Sequence, residues 1–153
     1  MSAKYWFSGS YQEARKRFLN SIEELKEKGF EISQEQLPLN LKGPQNEDLI
    51  IDVAVIGSLE SENLLLYSSG IHGVEGFAGS AIQLSVLDQI KNQSSFSNYC
   101  IVFIHIINPY GMAFYRRVNE SNVDLNRNFL TKHEGEPEGY KLIDKFLNPK
   151  TIP

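Results

Sequence analysis

His72 and Glu75 stand three residues apart in the glycine-rich segment Gly70–Gly76, GIHGVEG. An imidazole and a carboxylate at that spacing can converge on one side of a turn, where both could bind zinc. Hydrolytic zinc sites often combine two histidines with one carboxylate and leave the fourth position for water. The same two side chains could instead belong to a surface turn that caps the next helix. The flanking Gly70, Gly73 and Gly76 permit either arrangement.

A second group of chemically capable residues lies further along. Asn108-Pro109-Tyr110-Gly111 is followed by Arg116-Arg117 and then by NVDLNRNF, residues 122–129. Arg127 offers a planar fork of donors suited to a carboxylate, Asn126 stands beside it as a further donor, and Arg117 adds a second fixed cation. The bland alternative is a loop with asparagines in turns and arginines in surface ion pairs.

These residues need elements to hold them. Phe18, Leu19, Ile22 and Leu25 recur at helical spacing between Tyr11 and Lys28, and Gly29 is placed to end that helix. An extended stretch from Phe30 to Leu37 precedes a loop, LKGPQNED. Leu49–Ile56 and Leu64–Ser69 read as strands, the second a continuous apolar run expected to be buried on both faces. The GIHGVEG turn feeds a helix from about Phe77 to Lys91. The strongest strand, Tyr99–Ile107, follows a polar break. Strand, helix, strand in this order predicts a parallel crossover within a layered α/β sheet. Both chemical groups then sit in loops leaving strand ends, where open α/β sheets place their sites. A last helical segment covers Gly139–Leu147.

Composition excludes some functions. A net charge of −4, with Arg15, Lys16 and Arg17 interleaved among glutamates, argues against a nucleic-acid partner. No apolar run approaches bilayer length and the first residues lack the pattern of a secretory signal, so no membrane partner is expected. The single cysteine, Cys100, lies in an apolar run without a partner, which fits a buried strand residue in a reducing, cytoplasmic compartment.

GIHGVEG, NPYG and an arginine nine residues before the asparagine of VDLNRNF, in that order, resemble the zinc carboxypeptidase superfamily. More narrowly, nearly the whole chain is similar to the first half of an uncharacterised bacterial branch of it. The resemblance implies a three-layer α/β/α fold with a mixed, largely parallel sheet. It implies one zinc ion, with His72 and Glu75 as two of its ligands and Asp124 hydrogen-bonded to the free nitrogen of His72. It implies that Asn126 and Arg127 grip the substrate's terminal carboxylate, and that Arg117 stabilises the oxyanion formed when water attacks the scissile carbonyl. Arg116 takes that role if the register slips by one.

The family's third ligand is a histidine well downstream, and its general base is a glutamate near the end of the domain. Neither is matched here: His105 belongs to a strand, and His133 lies too close to Arg127. Residues 1–153 are therefore expected to form the N-terminal part of one catalytic domain, inactive alone, that self-associates or awaits a C-terminal half. The expected activity of the whole is hydrolysis of a peptide or amide bond beside a free carboxylate. Alternatives are an amidohydrolase of N-acyl amino acids, aspartoacylase-like or desuccinylase-like, and a non-catalytic remnant that still binds carboxylates.

Overall fold

A computed structural model describes residues 3–93, 98–128, 135 and 139–147. In chain order its main elements are α1 (Tyr11–Glu27), β1 (Ile32–Lys42), β2 (Asp48–Ile56), β3 (Asn63–Ser68), α2 (Gly76–Lys91), β4 (Tyr99–His105), α3 (Pro109–Ala113) and α4 (Tyr140–Leu147). The four strands form one mixed sheet in the order β1-β2-β4-β3, an α/β fold compatible with the expected layered arrangement. Among the described strands, β3 and β4 are parallel, while β1–β2 and β2–β4 are antiparallel. The expected crossover is thus β3-α2-β4.

Helix α1 starts where Ser10 accepts a hydrogen bond from the Glu13 N–H. It ends before Gly29, whose φ of +90° suits a glycine beyond a helix end. Phe18, Ile22 and Leu25 of α1 and Leu87 and Ile90 of α2 pack on Ala54 and Ile56 of β2 and Ile101 and Phe103 of β4. Ala54 pairs with Phe103 and Ile56 with Ile101, so both helices cover one face of the sheet. Helix α4 buries none of its residues. No described helix is long and apolar enough to cross a membrane.

Three expectations change. Strand β1 runs through Leu41 and Lys42, which read as loop, and its register shifts between Pro38 and Lys42, where Asn40 has a φ of +57°. As an edge strand, β1 tolerates a proline that lacks an N–H. Strand β3 is not buried on both faces. Among the described strands it pairs only with β4, and Leu64 and Leu66 are 63% and 58% exposed. Finally, residues 109–113 form the short helix α3 rather than a plain loop. Asn108 caps it by accepting from the Gly111 N–H, and Pro109 stands where its missing N–H costs nothing.

The same sheet face carries a buried polar group. Asp52 and His105 are register partners on β2 and β4. Arg15 of α1 donates to both Asp52 oxygens, at 2.6 and 3.0 Å, and Gln36 donates to Asp52 Oδ1 at 3.0 Å. His105 stacks on Phe18 at 4.5 Å and shares a 3.0 Å hydrogen bond with the Ser80 hydroxyl.

Candidate functional site

The site forms at the carboxyl ends of the parallel pair β3–β4. Past the strands the two chains continue side by side, with Ile107 N–H donating to the Ser69 carbonyl and Asn108 N–H to the Gly70 carbonyl, both at 2.9 Å. This places the GIHGVEG turn against the segment that follows β4. The contact is then extended by the arginine pair. Gly73 N–H donates to the Arg117 carbonyl at 3.2 Å and Val74 N–H to the Arg116 carbonyl at 3.0 Å.

That approach requires glycine twice. A Cβ on Gly73 would lie 2.1–2.3 Å from backbone atoms of Gly111 and Met112. A Cβ on Gly111 would lie 2.6 Å from Asn108 Nδ2 and 2.8 Å from the carbonyls of Arg116 and Val118. The two glycines let the backbones touch where any side chain would part them.

Asp124 comes back over this platform. Asn119 shapes the return, its side-chain oxygen accepting from the Ser121 and Val123 N–H groups while Asn122 takes a φ of +60°. Asp124 Oδ1 accepts from His72 Nε2 and from the Asn126 N–H, each at 2.9 Å, and Oδ2 accepts from Arg117 Nε at 2.9 Å. The Arg117 bond first, with His72 and the Asn126 N–H, holds the Asp124 carboxyl down at about 2. It is therefore an acceptor on every side.

The tautomer of His72 follows. Its ring is buried, and with Nε2 donating to an ionised Asp124 a neutral imidazole carries its proton there. The other nitrogen, Nδ1, faces Glu75 Oε1 at 3.1 Å. Two lone pairs cannot face each other at that distance without a positive charge between them, either a proton or a metal cation. The donor set of imidazole nitrogen plus carboxylate oxygen fits zinc, and the outer carboxylate on Nε2 is the arrangement metal-binding histidines use. Among the described residues no group of three or more His, Cys, Asp or Glu side chains could hold a metal ion, so the pair His72 and Glu75 offers two donors and no third.

The remaining residues divide clearly. Arg117 is half exposed and fixed through Nε, which leaves the terminal nitrogens of its guanidinium pointing away from that bond. Arg116, the fallback candidate, donates from Nη2 to Asn122 Oδ1 and lies in the loop's own structure. Asn126 and Arg127 are exposed; Asn126 reaches the cluster through its backbone, and Arg127 Nη1 donates to the Asn126 carbonyl. His105 is buried beneath α1, away from the cluster, and His133 lies outside the described residues. Two residues given no role from sequence, Asn108 and Asn119, hold the loops. Asn before Pro at a helix start was the signal for the first.

Residues 7–153 match the model of a family described as Protein of unknown function (DUF2817). The chain belongs to the DUF2817 family. Two solved structures are similar to this DUF2817 chain. Tannerella forsythia glutaminyl cyclase is 17% identical, with a TM-score of 0.42 over 84% of this chain and 52% of that one. Porphyromonas gingivalis glutaminyl cyclase is 13% identical, with a TM-score of 0.37 over 69% of this chain and 47% of that one. The DUF2817 chain spans about half the length of each. No curated protein sequence matches it.

Proposed function

We propose that this chain carries one part of a zinc-dependent hydrolase site that cleaves a peptide or amide bond beside a free carboxylate. The observation that carries the reading is the pair of carboxylates on one buried imidazole, Glu75 at Nδ1 and Asp124 at Nε2. His72 and Glu75 would hold the ion, which when bound polarises the scissile carbonyl and activates water. A third ligand and the general base belong, on this reading, to a complete domain, whose further strands would pair along the open edge of β3.

The chain's own residues do the rest. Asp124 keeps the His72 ring in the tautomer that presents Nδ1, and through Oδ2 it fixes the plane of Arg117. Arg117 then offers its terminal N–H groups to the oxygen on which charge develops. Asn126 and Arg127, exposed on the same loop, receive the substrate's carboxylate.

The test uses the complete protein with zinc and matched peptides whose terminal carboxylate is free or amidated. Only the free acids should be hydrolysed. Arg127→Ala should mainly raise KM, because the carboxylate is gripped in ground and transition states alike. Arg117→Ala should mainly lower kcat, by roughly a hundredfold or more. Equal rates on free and amidated peptides would remove the carboxylate clamp, and an unchanged kcat in Arg117→Ala would remove the oxyanion role.

A further inference from the structure

We infer that Asn108 is a positioning residue, whose side-chain amide locks the arginine loop to the His72 turn and so sets Arg117 and His72 on opposite oxygens of Asp124. Its side chain is buried and works with both ends. Oδ1 accepts from the Gly111 N–H at 2.8 Å, and Nδ2 donates to the Arg117 carbonyl at 3.3 Å. The first bond is an ordinary helix cap. The second is not needed by α3 at all, because it leaves the helix and ends on the backbone of a site residue nine positions away.

The Arg117 carbonyl is where three parts of the site meet. It accepts from Asn108 Nδ2 and from the Gly73 N–H, the residue next to His72. Meanwhile the Arg117 side chain reaches Asp124 Oδ2 and the His72 ring reaches Asp124 Oδ1. A closed circuit results, with backbone bonds on one side and the Asp124 carboxylate on the other. Asn108 fastens that circuit to the end of β4, the rigid element beneath it. Its own N–H adds a tie to Gly70 at the start of the His72 turn. A buried amide with both ends satisfied has one low-energy orientation, which is what a locating pin requires.

The importance of the lock rests on the reading of His72 and Arg117 as site residues, but its test reads geometry alone. Asn108→Ser keeps an oxygen able to cap Gly111 and removes the arm to Arg117. Asn108→Asp keeps the shape and cap but sets an acceptor against the carbonyl. Nuclear magnetic resonance of the folded chain reports the Arg117 Nε–H and His72 Nε2–H signals. In Asn108→Ser the Arg117 Nε–H should exchange with solvent about tenfold faster, the effect of one lost hydrogen bond, and the His72 Nε2–H signal should broaden or vanish. In Asn108→Asp the loss should be at least as large. Unchanged Arg117 and His72 signals in a folded variant, even one of lowered stability, would reduce Asn108 to a cap and overturn the proposal. Should neither variant fold, the wild-type side-chain amide decides. Its protons should exchange far more slowly than those of the exposed Asn20, and equal exchange would also overturn the lock. Failure of zinc binding or of hydrolysis would strike the proposed function and leave this result standing.

Discussion

His105 and His72 are both buried imidazoles with a polar partner at 2.9–3.0 Å, yet they sit in opposite settings. His105 ends β4 beneath α1, stacked on Phe18, with Ser80 at Nε2 and no partner for Nδ1 among the described residues. Burial pushes it down to about 3. Such a ring is neutral and enclosed. His72 lies in a turn at the ends of β3 and β4, and each of its nitrogens faces a carboxylate, one of them exposed to solvent. On the proposed function, depth of burial does not distinguish a structural histidine such as His105 from a ligand such as His72. What separates them is the charge of the groups on both nitrogens and whether one of those groups opens to solvent.

Phe18→Ala should damage the first region most. Removing a fully buried aromatic shared by Phe103 and His105 should cost about 3–5 kcal/mol, read as a lowered urea midpoint. If the two regions are independent, the folded fraction of this variant keeps the His72–Asp124 contact. Loss of that contact in a folded variant would join them.

Gly73→Ala attacks the second region. Its Cβ would collide with the Gly111 backbone, so a loss of about 1–3 kcal/mol is expected, with disruption of the His72 Nε2–H signal. Gly9→Ala, where the nearest atom is a Glu13 oxygen at 3.5 Å, should stay within about 0.5 kcal/mol of the parent. Equal stabilities for the two variants would show that the loops do not need their close approach.

The last effect is a pH slope, small when read over a single pH unit. Because His105 titrates near 3 when folded and near its ordinary value of about 6.5 when unfolded, the unfolded chain binds the extra proton between those limits. Stability from this group is therefore complete above about pH 6.5 and is lost as pH falls through the window, by up to about 1.4 kcal/mol per pH unit. Urea midpoints measured across that range should flatten by this amount in His105→Gln. An unaltered slope would mean that the buried ring is protonated in the native state.

Much of this was legible in the sequence because it rests on local signals. Helical spacing from Phe18 to Leu25, the β3-α2-β4 order and the His72–Glu75 spacing need only a few neighbouring residues to be read. The exposure of Leu64 and Leu66 was not legible. An apolar run in a central strand and one in an edge strand read alike, and strand order depends on partners far along the chain. Asn108 was hidden for a similar reason. Its cap to Gly111 is local, but its bond to the Arg117 carbonyl exists only once two loops have met. The proposed role of Asp124 rested on resemblance alone, since fifty-two residues separate it from His72 and no spacing rule spans that distance.

The most direct test of the central claim is a calorimetric zinc titration of this chain beside its His72→Ala variant, at near-neutral pH. Two donors, where hydrolytic sites use three, should give weak binding of one ion per chain. In His72→Ala that binding should disappear. Tight stoichiometric zinc that survives His72→Ala would contradict the assignment and move attention to His105 and His133.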